Sequence, residues 1–177
     1  MTPESSSALR IATATVDDAA GIAVVRNAAA EHLTQVYGAG SWSGSISERG
    51  VLRGINTSRV LIASAGDEGE IIGTLRLATR KPWAIDPAYY AASERPLYLV
   101  DMAVAPHAQR RGIGRQLLQA AVQTAEGWKM QAIRLDAYDH AAGAGPFYAK
   151  CGFTEVGRNT YRTTPIVYYQ LLLEESP

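Results

Sequence analysis

The chain has 177 residues, 47% of them hydrophobic, with 17 Lys+Arg against 17 Asp+Glu. This length and apolar content suit one domain, residues 1–177, with an adequate core, and exclude a disordered chain. Balanced charge argues against nucleic-acid partners, which call for a basic face.

The N-terminal segment Met1–Ser7 has neither a basic start nor an apolar stretch, and residues 1–8 read as a flexible tail. No run approaches the length of a membrane span, so the chain reads as cytoplasmic, with no membrane partner. The one cysteine, Cys151, cannot form an internal disulfide, in keeping with a reducing compartment. Leu9 to Val16 alternates like a strand. Thr15-Val16-Asp17-Asp18 then looks like a capping box for a helix whose core face would be Ile22, Val25, Ala29, Leu33 and Val36. The glycine-rich run Gly38 to Ser45, around Trp42, reads as a mobile loop, and Ile46 to Asn56 as a short second helix. Arg59 to Ala65 and Glu70 to Ala78 predict a hairpin around Gly66-Asp67-Glu68-Gly69. Thr79 to Pro96 carries Pro82, Pro87 and Pro96 and reads as a long irregular stretch with Trp83, Tyr89 and Tyr90 exposed. Stretches of that length are usually functional or disordered. Leu97 to Val104 predicts a strand, Ile113 to Ala125 a helix, and Ala132 to Tyr138 a fifth strand. Gly145 to Lys150 reads as a short helix, with closing strands at Phe153 to Arg158 and Ile166 to Leu173. The expected order is β-α-α-β-β-β-α-β-α-β-β.

The most informative segment lies between the fourth strand and the third helix. Gln109-Arg110-Arg111-Gly112-Ile113-Gly114 opens a helix whose apolar face is Ile113, Leu117, Leu118, Ala121, Val122 and Ala125. The first amides of a helix lack intrahelical partners and the macrodipole is positive there, so a pyrophosphate can bind without a dedicated side-chain cage. Gly112 and Gly114 let a ligand reach the backbone, and Arg110, Arg111 and Arg115 concentrate positive charge in a neutral chain. A Walker A loop fails because Gly114 is followed by Arg115-Gln116. A dinucleotide fingerprint fits poorly, since eight positions separate Val104 from Gly112 and the third glycine slot is Leu117. The bland alternative is a helix start that needs glycine only to pack.

Val104-Ala105-Pro106-His107-Ala108-Gln109-Arg110-Arg111-Gly112-Ile113-Gly114 closely resembles the V-x-P-x-x-[QR]-x-x-G-x-[GA] signature of the GNAT superfamily of acyl-CoA-dependent N-acyltransferases. Phe147-Tyr148-Ala149-Lys150-Cys151-Gly152-Phe153 resembles the family's second motif, [FY]-Y-x-x-x-G-F, at the expected distance. The resemblance is strongest from Leu97 to Phe153. It implies a GNAT fold of the α+β type, with a mixed, mostly antiparallel sheet of about seven strands flanked by about four helices. It also implies acetyl-CoA as cosubstrate, no metal, and transfer of the acyl group to a primary amine by direct attack through a tetrahedral intermediate. Many members are dimers, so a homodimer is an open expectation.

The resemblance assigns the pyrophosphate to Gln109, Arg110, Arg111, Gly112, Ile113, Gly114 and Arg115, and the pantetheine arm to the strand at Met102, Ala103 and Val104. In the family that strand carries a bulge, and an amide freed by a bulge can stabilise an oxyanion. Tyr148 matches the tyrosine that protonates the departing thiolate in many members. A phenol near ~10 giving its proton to a thiolate near ~8.5 is uphill by about 2 kcal/mol, so the thiolate can leave unaided. Packing on the fourth strand is the structural alternative for Tyr148. Cys151 falls where the family uses no nucleophile and reads as a small buried residue. Asp101 interrupts an apolar strand beside the expected thioester and is the carboxylate favoured for accepting the amine proton, with an equal reading as an aspartate that bonds a loop or orients a water. Asp136, Asp139, Glu31 and His140 are weaker candidates. One departure stands out. Ala141 lies seven residues before Tyr148, where many members place a CoA-contacting asparagine.

The acceptor, a small molecule or peptide, is expected between the Trp42 loop and the stretch from Trp83 to Tyr90, with Trp42, Trp83 and Tyr89 as contacts. Asp86, Glu94 and Asp101 nearby suggest a cationic amine. Aminoglycosides, polyamines, amino acids and protein amines all remain open, as does a silent acyl-CoA-binding or sensing module of the same fold.

Overall fold

The computed structural model describes residues 8–65 and 69–174. The expected tail, apart from the exposed Ala8, and most of the hairpin turn at 66–69 lie outside the described residues. The strands are β1 (Leu9–Thr13), β2 (Arg59–Ala65), β3 (Ile71–Ala78), β4 (Pro96–Val104), β5 (Ala132–Tyr138), β6 (Thr154–Tyr161) and β7 (Thr164–Leu172). The helices are α1 (Ala19–Tyr37), α2 (Glu48–Thr57), α3 (Ile113–Gly127) and α4 (Gly145–Lys150). The strands form one sheet in the order β1-β2-β3-β4-β5-β7-β6. Only β4 and β5 pair in parallel. Element order and mixed topology are those the sequence predicts.

Alternation along the strands assigns the two faces. Leu61, Leu75, Leu77, Leu97, Leu99 and Leu135 are buried on the face covered by α3. Their neighbours Val60, Ile62 and Thr74 turn to the opposite face, where Ala19, Ile22 and Val51 of α1 and α2 cover β1 to β3. A third cluster, Ile85, Tyr90, Tyr98, Ile166 and Tyr168, covers β5 to β7 on that second face. Two layers over a shared sheet bury the apolar set, a contribution of roughly 25 cal/mol per Å² removed from water.

Asp18 Oδ2 accepts from the Thr15 amide at 2.7 Å, as a capping box requires, although a 3₁₀ turn over Val16–Asp18 precedes α1. Ile22 and Val25 of the expected core face are buried, whereas Val36 is 57% exposed and Ala29 and Leu33 border a cleft. The second half of α1 has no apolar layer beneath it, because the strands there have parted. The loop around Trp42, expected to be mobile, is instead a 3₁₀ turn over Ser41–Ser43. Trp42 Nε1 donates to the Gly38 carbonyl at 2.9 Å, and the Thr34 and Ser43 hydroxyls bond at 2.6 Å. Glycine here shapes a tight turn fastened to α1. The irregular stretch after β3 also differs from expectation at Tyr90, which is buried and donates to the Leu135 carbonyl at 2.9 Å. Its aromatics thus include a core component that no periodic pattern marked.

Two irregularities place the functional site. First, β4 pairs with β5 only at Pro96, Leu97 and Tyr98, and from Leu99 onward the strands separate. Second, the register of β3 against β4 passes from Thr74↔Ala103 to Arg76↔Val100, so β4 carries one residue more than its partner. This bulge contains Asp101, whose φ of 56° lies in the left-handed region. Asp and Asn tolerate that region better than most residues.

Candidate active site

The loop before α3 has the geometry its sequence foretold. Gly112 adopts φ 77°, and Arg110 φ 63°. A side chain at Gly112 would be strained by the backbone alone. Gly114 lines the groove beside this loop and also serves packing, since an added Cβ would lie 3.0 Å from the Phe147 ring. Its small size lets the first turn of α3 pack on α4. The Gln109 side chain donates back to the Val104 carbonyl at 3.2 Å and holds the loop to the end of β4. Among the described residues, no backbone carbonyl accepts a hydrogen bond from the amides of Arg110 to Arg115, and the first helical bond runs from Gln116 to Gly112 at 3.0 Å. Unengaged amides, left-handed residues and a helix N-terminus together make an anion cradle. A groove of about 430 Å³ runs beside it, bordered by Met102, Ala103 and Val104 of β4 and by Phe147 and Tyr148 of α4. Arg110 and Arg115 line this groove and Arg111 does not.

A larger cleft, about 530 Å³, opens on the other side of the parted strands. Its walls are Leu99 to Ala103, then Asp136, Ala137 and Tyr138 across from them, with Arg26, Leu33 and Trp42 above. Groove and cleft share Met102, Ala103, Ala144 and Tyr148, so these residues form the partition between them. The Asn27 amide clamps the cleft's outer edge, donating to the Ile46 carbonyl at 3.0 Å and accepting from its amide at 2.8 Å. His140 stacks on Trp42 with ring centroids 4.5 Å apart, and Tyr138 meets Trp42 edge-on at 5.8 Å.

Tyr148 is buried, and its hydroxyl donates to the Met102 sulfur at 3.6 Å. Burial, and next the charge of Asp136, push its phenol above the ordinary tyrosine range. It therefore holds its proton at physiological pH and acts most readily as a hydrogen-bond donor to sulfur.

Asp101 and Asp136 occupy different environments. Arg26 donates to one Asp101 oxygen at 2.9 Å, and Arg76 Nε to the other at 2.8 Å. The pair fastens the bulge, offsetting the cost of its backbone conformation. Asp136, on β5, makes no ion pair and no hydrogen bond to another side chain among the described residues. Burial pushes its carboxyl above the usual range, although a backbone hydrogen bond to its carboxylate partly lowers its proton affinity. A carboxylate so placed in a cleft, with a raised proton affinity, is a stronger base than an ordinary aspartate.

The remaining expected residues lie apart. Trp83 is 82% exposed and Tyr89 packs 5.1 Å from Tyr168, and neither borders the cleft. Asp86 caps a local turn, accepting from the Ala88 amide at 3.0 Å. The stretch from Trp83 to Tyr90 thus forms no wall opposite Trp42, because Ile85 and Tyr90 anchor it on the hydrophobic cluster over β5 and β7. Asp139 pairs with Arg158 at 3.1 Å, and Cys151 packs against the main core. His140 is no isolated surface histidine but part of the aromatic rim. Ala141 itself borders neither cavity, whereas its neighbours Ala142 and Ala144 line the cleft. Arg26 and Arg76 carried no sequence signal, since each sits on a different element and they meet only through Asp101. Among the described residues, no group of His, Cys, Asp and Glu could hold a metal, and no helix is long and apolar enough to cross a membrane.

Comparison with known proteins gives the same architecture. An N-acetyltransferase from Staphylococcus aureus Mu50 superposes with a TM-score of 0.69 at 19% identity, covering 95% of this chain and 100% of that one. A putative acetyltransferase from Salmonella typhimurium, solved with its cofactor acetyl-CoA, gives 0.70 at 19% identity and covers 97% of each chain. The ribosomal-protein-S18-alanine N-acetyltransferase from Escherichia coli gives 0.69 at 17% identity, covering 96% of this chain and 97% of that one. At such identities the likeness is one of fold. The model of the Acetyltransferase (GNAT) family matches residues 27–153, well over half of the sequence, and the chain therefore belongs to the GNAT acetyltransferase family.

Proposed function

We propose that this protein transfers an acetyl group from acetyl-CoA to a primary amine by direct attack. The observation that carries the reading is the wall of Met102, Ala103, Ala144 and Tyr148 that borders both the groove beside the free amides and a separate cleft. A thioester arm entering from the groove and an amine entering from the cleft would meet there, an arrangement that supplies the orientation on which such reactions depend.

Each group has a chemical part. The amides of residues 110–115 and the guanidiniums of Arg110 and Arg115 hold the pyrophosphate. On the side facing β5, β4 has no strand partner from Leu99 on, so its backbone polar groups are free to bond the pantetheine and the thioester oxygen. Asp136 takes the proton of the ammonium form, releasing the nitrogen lone pair to attack the thioester carbon. The C–N bond forms, the C–S bond breaks with its electron pair leaving on sulfur, and the second proton of the attacking nitrogen passes to the departing thiolate, giving free CoA thiol and a neutral amide. Tyr148 donates a hydrogen bond to that sulfur as it already does to the Met102 thioether. Asp101, with both oxygens engaged, positions the bulge and takes no proton.

The test is release of free CoA from acetyl-CoA against a panel of amines. Turnover with at least one amine supports transfer, whereas acetyl-CoA binding with no turnover for any amine would make the chain a sensing module. Tyr148→Phe is expected to lower kcat toward the low end of the ~10²- to 10⁴-fold range for proton-transfer groups, with CoA affinity little changed. Wild-type turnover in that variant would remove its part in leaving-group departure.

A further inference from the structure

Beside the cleft lies a second cavity of about 350 Å³, which shares Arg26, Ile46 and Asp101 with it. The charged residues that line it are Arg26, Arg53, Arg76 and Asp101. Three guanidiniums thus face a single carboxylate. Asp101 takes one N–H from Arg26 and one from Arg76, and an Arg76 terminal nitrogen reaches the Ser58 hydroxyl at 3.4 Å. The Arg53 side chain makes no ion pair or hydrogen bond among the described residues. Each guanidinium offers five N–H donors in a planar fork, so most of this donor capacity is uncommitted. The cavity's floor is apolar, with Ile22, Val51 and Val60 beneath the arginines. Position 54 on α2 is glycine, where an added Cβ would come within 3.2 Å of the Arg76 side chain, so the helix is small where Arg76 lies against it.

We infer that this side cavity is an anion subsite for the acceptor, and that the acceptor is an amino-carboxylic acid whose carboxylate lies against Arg26, Arg53 and Arg76 while its amine reaches the main cleft near Asp136. A guanidinium fork matches a carboxylate with two parallel hydrogen bonds, and apolar walls strengthen the attraction by lowering the local dielectric. A polyamine or aminoglycoside would bring cations into a cavity with excess positive charge, where like charges repel. The inference rests on the acetyl-transfer reading for the amine's fate, but not for the carboxylate's binding.

The experiment uses the full chain with acetyl-CoA and a panel of proteinogenic amino acids, each compared with its carboxamide and its decarboxylated amine. The acids are expected to exceed the neutral or cationic forms by about 10- to 100-fold in kcat/KM, the range of hydrogen bonds to charged groups. Arg53→Met, at an exposed position, is expected to erase most of that preference through KM, with acetyl-CoA affinity unchanged; Arg53→Lys restores part of it. Calorimetric binding of the N-acetylated amino acids, against N-acetylated carboxamides, supplies a readout that needs no turnover. Binding of the acids that depends on Arg53, with no CoA release from any amine, would sustain the subsite and defeat the transfer reading. Turnover in which carboxamides match the acids, or a preference that survives Arg53→Met, would overturn the subsite and leave transfer standing.

Discussion

The two sides of the parted strands solve recognition differently. The groove on the α3 side takes about half of its lining from one stretch of chain, the loop before α3, whose main-chain amides at 110–115 are free of backbone acceptors among the described residues. The cleft on the α1 side is assembled from α1, the Trp42 turn, β4 and β5, and its polar groups are side chains brought together from distant positions. A binding site made of backbone at a helix start tolerates many side chains, provided the turn is kept. One made of converging side chains changes with each residue, and there the family's acceptor choice can vary on a constant fold.

That contrast can be broken most sharply at Asp136. Asp136→Asn is expected to reduce kcat/KM by about 10²- to 10⁴-fold with acetyl-CoA affinity intact, and to abolish the acidic limb of the pH–rate profile. Stability should move the other way. Burial raises this carboxyl, so the folded state binds its proton more tightly than the unfolded state does. The resulting destabilisation is absent below the unfolded value, grows as pH rises through the window up to the folded value, and is complete above it. Asp136→Asn therefore leaves the fold as stable or more stable at neutral pH, measured by denaturant unfolding. If Asp101→Asn abolished the acidic limb instead, the assignment of the two carboxylates would be reversed.

A smaller effect is expected on the backbone side. Gly112→Val places a β-branched residue at φ 77°, at a cost of about 1–2 kcal/mol. If the loop relaxes to avoid it, acetyl-CoA binding weakens by roughly 5- to 30-fold while the acceptor KM stays near wild type. Arg111→Gln, a neighbour outside the groove, serves as the comparison and should weaken binding less.

The smallest expected change sharpens the positioning role of Asp101. Asp101→Asn removes a charge shared by two partly buried arginines and is expected to cost about 1–2 kcal/mol of stability after allowance for solvent screening. At this chain length that lowers Tm by a few degrees, on the order of 2–4 °C per kcal/mol. An unchanged Tm with a large loss of kcat would contradict a role confined to holding the bulge.

Much of the frame was legible in the residues. The bounds of β5 and α4 coincide with those predicted, because alternating apolar residues mark the one and the Gly145-Pro146 start marks the other. The glycine loop that opens α3 was legible because its information is local. The outer half of α1 misled because Leu33 and Val36 continue a helical apolar stripe whose partner layer is absent where β4 and β5 diverge. The stretch after β3 misled because proline and aromatic content says nothing of which ring is buried, and Tyr90 rather than Trp83 proved to be the anchor. Asp101 drew attention as a charge in an apolar strand, an inference that held for its being paired but that could not name Arg26 and Arg76 as the partners.

By itself, then, the sequence determined the order of elements, the faces of the strands and the glycine loop that opens α3, since periodicity, capping and glycine placement act within a few residues of chain. Tertiary structure decided where β4 leaves β5, which carboxylate stands in the cleft outside any ion pair, and how arginines from α1 and β3 come to share one aspartate beside a third from α2. Those outcomes depend on desolvation and charge among residues far apart in sequence, and no local pattern encodes a sum over neighbours that only folding selects.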